Sequence, residues 1–213
     1  MKISQVKTAF KIADVKIKSG DVLDFIYLPK IIDEKGNGLA TDILKRNIGR
    51  VYIIAVNGII KKIGGSEDKG GMKGTLNIYK TGGLNGQPSQ RSIGVWWHLF
   101  HELSDGKKIE IYMIYQQDFV GSVKGLFGET EQKVSISYKH IENACLADFH
   151  KTEKKYPDWN YQENHEPWEA EIDELERICK YNKGKAGKIK IHDIGGELKK
   201  RGFAKTKIVR NYK

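Results

Sequence analysis

The stretch from Val51 to Ile63 constrains the fold more than any other part of the chain. It is rich in apolar and β-branched residues on both sides of Asn57-Gly58. That pair readily adopts positive φ and turns a chain back on itself, so the stretch reads as a β-hairpin. The length of the turn decides what the hairpin presents. A two-residue Asn-Gly turn sends Tyr52 and Lys62 to opposite faces. A three-residue loop, Val56-Asn57-Gly58 with Gly58 left-handed, sets Ala55 opposite Ile59 and Tyr52 opposite Lys62 on one face. Any joint role for Tyr52 and Lys62 therefore calls for the three-residue loop. Tyrosine titrates near 10, too high for a good base at neutral pH, and an adjacent ammonium favours its phenolate.

The rest of the chain divides around this hairpin. Residues 1–48 read as an N-terminal elaboration, with a strand at Val22–Leu28 and a short helix at Thr41–Arg46. Glu67–Gly74 and Thr81–Ser92 are rich in glycine and polar residues and read as loops. Ile93–Leu103 has helical periodicity, Lys108–Tyr115 alternates as a third strand, and Asp118–Thr130 reads as a glycine-containing loop. Tyr138–His150 and Pro167–Lys180 read as helices, the second with proline at its start. Pro157–Asn160 reads as a turn.

Composition narrows the class of partner. At 213 residues the chain is long enough for one well-packed domain, and its 39% hydrophobic content is that of a globular protein. No apolar run spans a bilayer, and the first residues lack an apolar leader, so a cytoplasmic setting is expected. Cys145 and Cys179 form no metal-type pair and read as reduced thiols. Positive charge is concentrated. Residues 180–213 hold 12 Lys/Arg against Asp193 and Glu197, net +10, while the remainder holds 25 cations and 25 anions. A neutral body with a basic, partly apolar tail is a nucleic-acid footprint.

Four short segments, read together, go further: Gly49-Arg50-Val51-Tyr52; Lys62-Ile63-Gly64 followed by Gly65-Ser66; Lys139–Leu146, which carries Glu142; and Pro157-Asp158-Trp159-Asn160. Over roughly Gly49–Asn160 the chain resembles a divergent GIY-YIG nuclease, with Arg50 where a glycine is usual and Lys62 where a tyrosine is usual. The resemblance implies an α+β fold with a small, mostly antiparallel three-stranded sheet flanked by helices (49–160), plus additions at 1–48 and 161–213. It implies Tyr52 and Lys62 as a proton-handling pair and Glu142 as the ligand of Mg2+ or Mn2+. Lys73, 11 residues past Lys62, stands for the family's phosphate-gripping arginine, with Arg91 as competitor. Asn160 is expected to buttress the site. Ser66, Arg91, Asn160 and, in the tail, Lys199, Lys200, Arg201, Lys205, Lys207 and Arg210 form the expected DNA-binding set.

The implied protein is a type II restriction endonuclease acting as a homodimer on double-stranded DNA. A phage or mobile-element nicking nuclease shares every one of these residues, and a non-catalytic nucleic-acid-binding protein needs only the tail. His98, His101 and Glu102 share a helix face, but Trp96, Trp97 and Phe100 beside them read as packing. Glu163-Asn164-His165-Glu166 is given no metal role, and Gly64–Gly74 lacks the lysine-hydroxyl ending of a phosphate-cradling loop.

Overall fold

Alternation of apolar residues generates seven strands: β1 (Phe10–Ser19), β2 (Val22–Tyr27), β3 (Arg50–Val56), β4 (Ile59–Ser66), β5 (Ile109–Tyr115), β6 (Phe119–Gly125) and β7 (Gly128–Val134). The helices are α1 (Gly71–Tyr79), α2 (Gln90–Ser104), α3 (Tyr138–Glu153), α4 (Tyr161–Asn164) and α5 (Ala170–Tyr181). This computed structural model describes residues 1–40, 42–46, 48–83, 88–181, 198 and 200–202.

The fold is α+β. Its main sheet has five antiparallel strands in the order β2-β1-β5-β3-β4, not the three expected. The N-terminal stretch supplies the difference. β1 pairs with β5 from Phe10↔Met113 to Val15↔Ile109, and β2 pairs with β1. A pairing about 100 residues apart leaves no mark in a local pattern.

Asn57 and Gly58 both take positive φ, 47° and 78°, and β3 meets β4 directly at Val56↔Ile59. The turn is therefore the two-residue kind, and the expected three-residue loop is absent. Pairing then skips Lys61, resumes at Ile54↔Lys62 and reaches Tyr52↔Gly64. The bulge at Lys61 adds one residue to β4 and restores the parity that the short turn removes. Tyr52 and Lys62 thus share a sheet face, but as diagonal neighbours. Gly64, not Lys62, is opposite the tyrosine.

Each face of the sheet is covered. Tyr52, Ile54, Val56, Ile12, Ile111 and Met113 pack with Met72 and Leu76 of α1, Ile93, Trp96 and Leu99 of α2, and Ile172 and Leu175 of α5. Val51, Ile53, Ile60 and Ile63 turn the other way, against Ile141, Leu146 and Phe149 of α3. Leu198 of the basic tail is buried in the larger core, and Arg201 donates to Glu174 of α5 at 2.6 Å. No helix among the described residues is long and apolar enough to cross a membrane.

Arg50, at a position expected to favour glycine, is fully buried. Its guanidinium donates to the carbonyls of Arg46, Ile48 and Asp68, the last at 2.9 Å. It ties the chain before β3 to the turn after β4. The segment expected as a loop at Asp118–Thr130 is instead most of the β6–β7 hairpin, a separate two-stranded sheet.

Candidate active site

β4 is the last strand of the sheet, so its outer row of backbone groups has no strand partner. Three segments distant in sequence satisfy that row. Trp159 N–H donates to the Lys61 carbonyl at 2.8 Å. Asn160 then imitates a strand: its Oδ1 accepts from Ile63 N–H at 3.0 Å, and its Nδ2 donates to the Ile63 carbonyl at 2.9 Å. Glu142 completes the row, its Oε1 accepting from Gly65 N–H at 2.6 Å. Lys61, Ile63 and Gly65 alternate along the strand, so each presents its backbone to the same side.

The segment around Trp159 and helix α3 close on β4 and leave a small cleft of about 80 Å3. Tyr52, Lys62, Gly64, Gly65, Arg91, Glu142, Trp159, Tyr161, Glu163 and Trp168 are among its lining residues. Two glycines make it possible. A Cβ on Gly64 would lie 2.5 Å from the Tyr52 hydroxyl, and one on Gly65 would collide with the Tyr138 ring and the Glu142 carboxylate. The Gly64-Gly65 pair thus lets a phenol lie over one face of the strand and a carboxylate over the other.

The electrostatics of the cleft differ from the expectation. The Tyr52 hydroxyl is buried and lies 2.7 Å from that of Tyr79. Burial first, and then Tyr79, raise its pKa well above 10. Tyr52 therefore stays a neutral phenol, and the expected phenolate is not favoured. The adjacent lysine carries the useful shift. Lys62 is 5% exposed, and burial lowers its pKa to about 8, with Glu163 and Glu142 opposing the fall and Arg91 adding to it. Its Nζ donates to the Trp159 carbonyl at 3.3 Å. A substantial fraction of neutral amine near pH 8 suits proton transfer better than a buried phenol does.

The other expected site residues separate into two groups. Arg91, at the start of α2, lines the cleft and bonds Gln162. Lys73 does not line it: its ammonium sits 4.6 Å over the Tyr27 ring. The permanently charged cation in the cleft is accordingly the arginine from α2. Ser66 is buried and bonded to Thr75, so it is not a DNA contact in this arrangement. Asn160, 1% exposed with both ends of its amide engaged by Ile63, buttresses β4 and has no surface to offer DNA. Arg201 is held by Glu174, while Lys200 is exposed. Lys199, Lys205, Lys207 and Arg210 lie outside the described residues.

Several residues in and behind the cleft were not expected. Tyr79, bonded to the Tyr52 hydroxyl, comes from the α1 helix, whose existence the glycine-rich sequence concealed. Glu163, set aside in the sequence as part of a carboxylate–histidine cluster, lines the cleft beside Lys62. A stack of rings backs the wall: His98 lies parallel to Trp159 and to Tyr161, at 5.0 and 5.7 Å, and Tyr161 stacks on Trp168 at 4.5 Å. Burial lowers the His98 pKa to about 4, so its imidazole is neutral and packs as an aromatic ring.

Among the described residues, no three His, Cys, Asp or Glu side chains come together as a metal cage. Glu142, with Glu163 nearby, still fits one kind of ion. Mg2+ keeps most of its water and needs only one or two carboxylates when substrate phosphate completes its shell. Mn2+ accepts the same oxygen donors.

No family model matches the chain, and no curated protein matches it. Among solved structures, a mutant of bacteriophage T4 EndoII aligns over 75% of this chain and 98% of its own, at 19% identity and a TM-score of 0.45. Restriction endonuclease HPY188I in complex with product DNA aligns over 70% of this chain and 78% of its own, at 21% identity and a TM-score of 0.35. At these scores neither likeness assigns a fold family or an activity, and the function has to be read from the cleft itself.

The buried environment of Lys62 has a direct test. Burial disfavours the ammonium, so the proton leaves at lower pH than the ordinary 10.5. In NMR of protein with labelled lysine side chains, one amine is expected to titrate near 8. Replacing Trp159 with alanine admits water and moves that midpoint back up. If every lysine titrates near 10.5 in the unmodified protein, the cleft does not shift Lys62.

Proposed function

We propose that the chain is a divalent-metal-dependent DNA endonuclease of GIY-YIG type that hydrolyses phosphodiester bonds, most simply a site-specific restriction enzyme acting as a homodimer. One observation carries this reading. Tyr52, Lys62, Arg91 and Glu142, drawn from four elements, meet in one cleft, and they comprise the groups that phosphodiester hydrolysis needs.

Each has a distinct task. Neutral Lys62 takes a proton from the attacking water as the water's oxygen bonds to phosphorus. The phosphorus–oxygen bond to the departing sugar breaks, and that oxygen takes a proton from solvent. Tyr52, a hydroxyl that keeps its proton, orients the water by hydrogen bonding. Arg91 grips the phosphate with its planar fork, which a lysine cannot do. Glu142, whose Oε1 accepts from Gly65 N–H, would hold the cation. When bound, the cation supplies positive charge to the phosphate oxygens.

Cleavage of mixed plasmid DNA in Mg2+ or Mn2+ tests this. Discrete fragments are expected from the unmodified protein. Glu142→Gln is expected to lower the rate by at least a hundredfold while DNA binding persists, since removing a charge interaction worth several kcal/mol costs orders of magnitude. Retention of more than about a tenth of the rate would remove Glu142 from metal binding. A protein that binds DNA and never cuts it would be the non-catalytic alternative.

The basic tail supplies sequence-independent grip in this proposal. Leu198 and Arg201 belong to the folded body, so the informative truncation ends at Gly202 and removes Lys205, Lys207, Arg210 and Lys213. The logarithmic salt slope of binding is expected to flatten by up to about 0.9 for each phosphate that the shortened chain no longer neutralises. An unchanged slope would make those four cations a solubilising appendage.

A further inference from the structure

Lys61 and Lys62 are neighbours in sequence and meet different surroundings on β4. Pairing with β3 skips Lys61, and both its backbone and its side chain address the 157–160 turn instead. Its carbonyl accepts from Trp159 N–H at 2.8 Å, and its ammonium lies 2.6 Å from Asp158 Oδ2. Lys62, one residue on, donates to the Trp159 carbonyl at 3.3 Å. Consecutive lysines thus hold both flanks of Trp159. The outcome is unequal. The Lys61 side chain is 25% exposed, while Lys62 is 5% exposed in the cleft that Trp159 lines.

The turn closes on itself before it meets the sheet. Asn160 N–H and Asn164 Nδ2 both donate to the Pro157 carbonyl, at 2.8 and 3.0 Å. Asp158 has two cations: Lys155 Nζ lies 2.8 Å from Oδ1, and Lys61 Nζ 2.6 Å from Oδ2. Burial works against its charge, yet the two ammonium groups hold its pKa below the ordinary value. The pairs are nearly equal in length and differ in what they connect. Lys155, 61% exposed, belongs to the approach to the same turn. Lys61 joins the turn to β4.

We propose that Lys61 and Asp158 are positioning residues, a clamp that holds Trp159 on β4 and so keeps water from the Lys62 amine. This deepens the nuclease reading, from which Lys62 takes its role as base. The other groups that share the cleft with Lys62 are Tyr52 of β3, Arg91 of α2, Glu142 of α3 and Glu163 of α4, and none of them belongs to the clamp. A clamp differs in sign from a simple effect of charge. An anion near an ammonium favours the charged form, so by its field alone Asp158 raises the Lys62 pKa, and Asp158→Asn lowers it. As half of a clamp, Asp158 excludes water. Its loss hydrates the ammonium, and the midpoint rises toward the ordinary 10.5.

NMR of the full chain, without DNA or metal, tests this independently of the nuclease reading. Asp158→Asn, and Lys61→Met, which keeps the backbone carbonyl, are each expected to raise the Lys62 midpoint from about 8 by roughly half a unit, the scale of a partly exposed ion pair. The double variant is expected to shift no further than either single one, because each cuts the same clamp. Hydrogen exchange at Trp159 N–H is expected to quicken roughly threefold in these variants. Lys155→Met is expected to change neither readout. A Lys62 midpoint that falls or stays put in Asp158→Asn overturns the proposal. So does Trp159 exchange that neither clamp variant quickens, or that Lys155→Met quickens equally. Cleavage separates the two readings. In a protein that cuts DNA, Asp158→Asn is expected to lower kcat about threefold near pH 7, with the loss fading above about pH 9, since half a unit removes that share of neutral amine. A protein that never cuts removes the nuclease reading, and the clamp is still decided by the midpoint and the exchange rate.

Discussion

The outer edge of β4 is the constraint on which the rest of the arrangement depends. A strand at a sheet edge presents unpaired N–H and C=O groups, and leaving such groups dry and unpaired costs about 1–3 kcal/mol each. Here Trp159, Asn160 and Glu142 engage that row in sequence. Satisfying the edge brings a turn from one part of the chain and a helix carboxylate from another to adjacent positions on the same strand. The cleft lies between them. The geometry of the candidate site is therefore a by-product of finishing the sheet, which also keeps other chains from adding to β4.

Burial then tunes what the edge assembles. The same low-polarity surroundings raise the Tyr52 pKa and lower that of Lys62, because both shifts favour the uncharged form. A phenol that stays neutral and an amine that is partly neutral near pH 8 have different uses: the phenol donates a hydrogen bond, and the amine accepts a proton. Glu142 and Glu163 keep the Lys62 shift from going further, and Arg91 brings the fixed positive charge that a phosphate requires. Losing the carboxylates would push Lys62 further down, so the acids matter to the base as well as to a cation.

Much of this is legible in the sequence, and the limits are physical. Asn57-Gly58 declares the hairpin, and Glu142 and Asn160 are identifiable from the segments around them. The bulge at Lys61 is not, because a one-residue slip in an apolar strand leaves no compositional trace. The longer loop invoked to keep Tyr52 and Lys62 on one face is the wrong device for the right parity. Spacing alone favours Lys73 over Arg91, and spacing cannot reveal that the start of α2 brings Arg91 to the cleft. Tyr79 is hidden by the glycines that open α1. β1 and β2 look like appendages because their partner, β5, lies about 100 residues away. β6 and β7 escape notice since their glycines and charges suit a loop as well as an exposed ribbon.

A crystal structure of the Glu142→Gln variant with duplex DNA tests most directly whether the cleft is a phosphodiester-cleaving site. One backbone phosphate is expected in the cleft, forked by the Arg91 guanidinium, with Lys62 Nζ within about 3.5 Å of a water in line with the phosphorus. DNA bound elsewhere on the surface, with the cleft empty and Arg91 still held by Gln162, would contradict it.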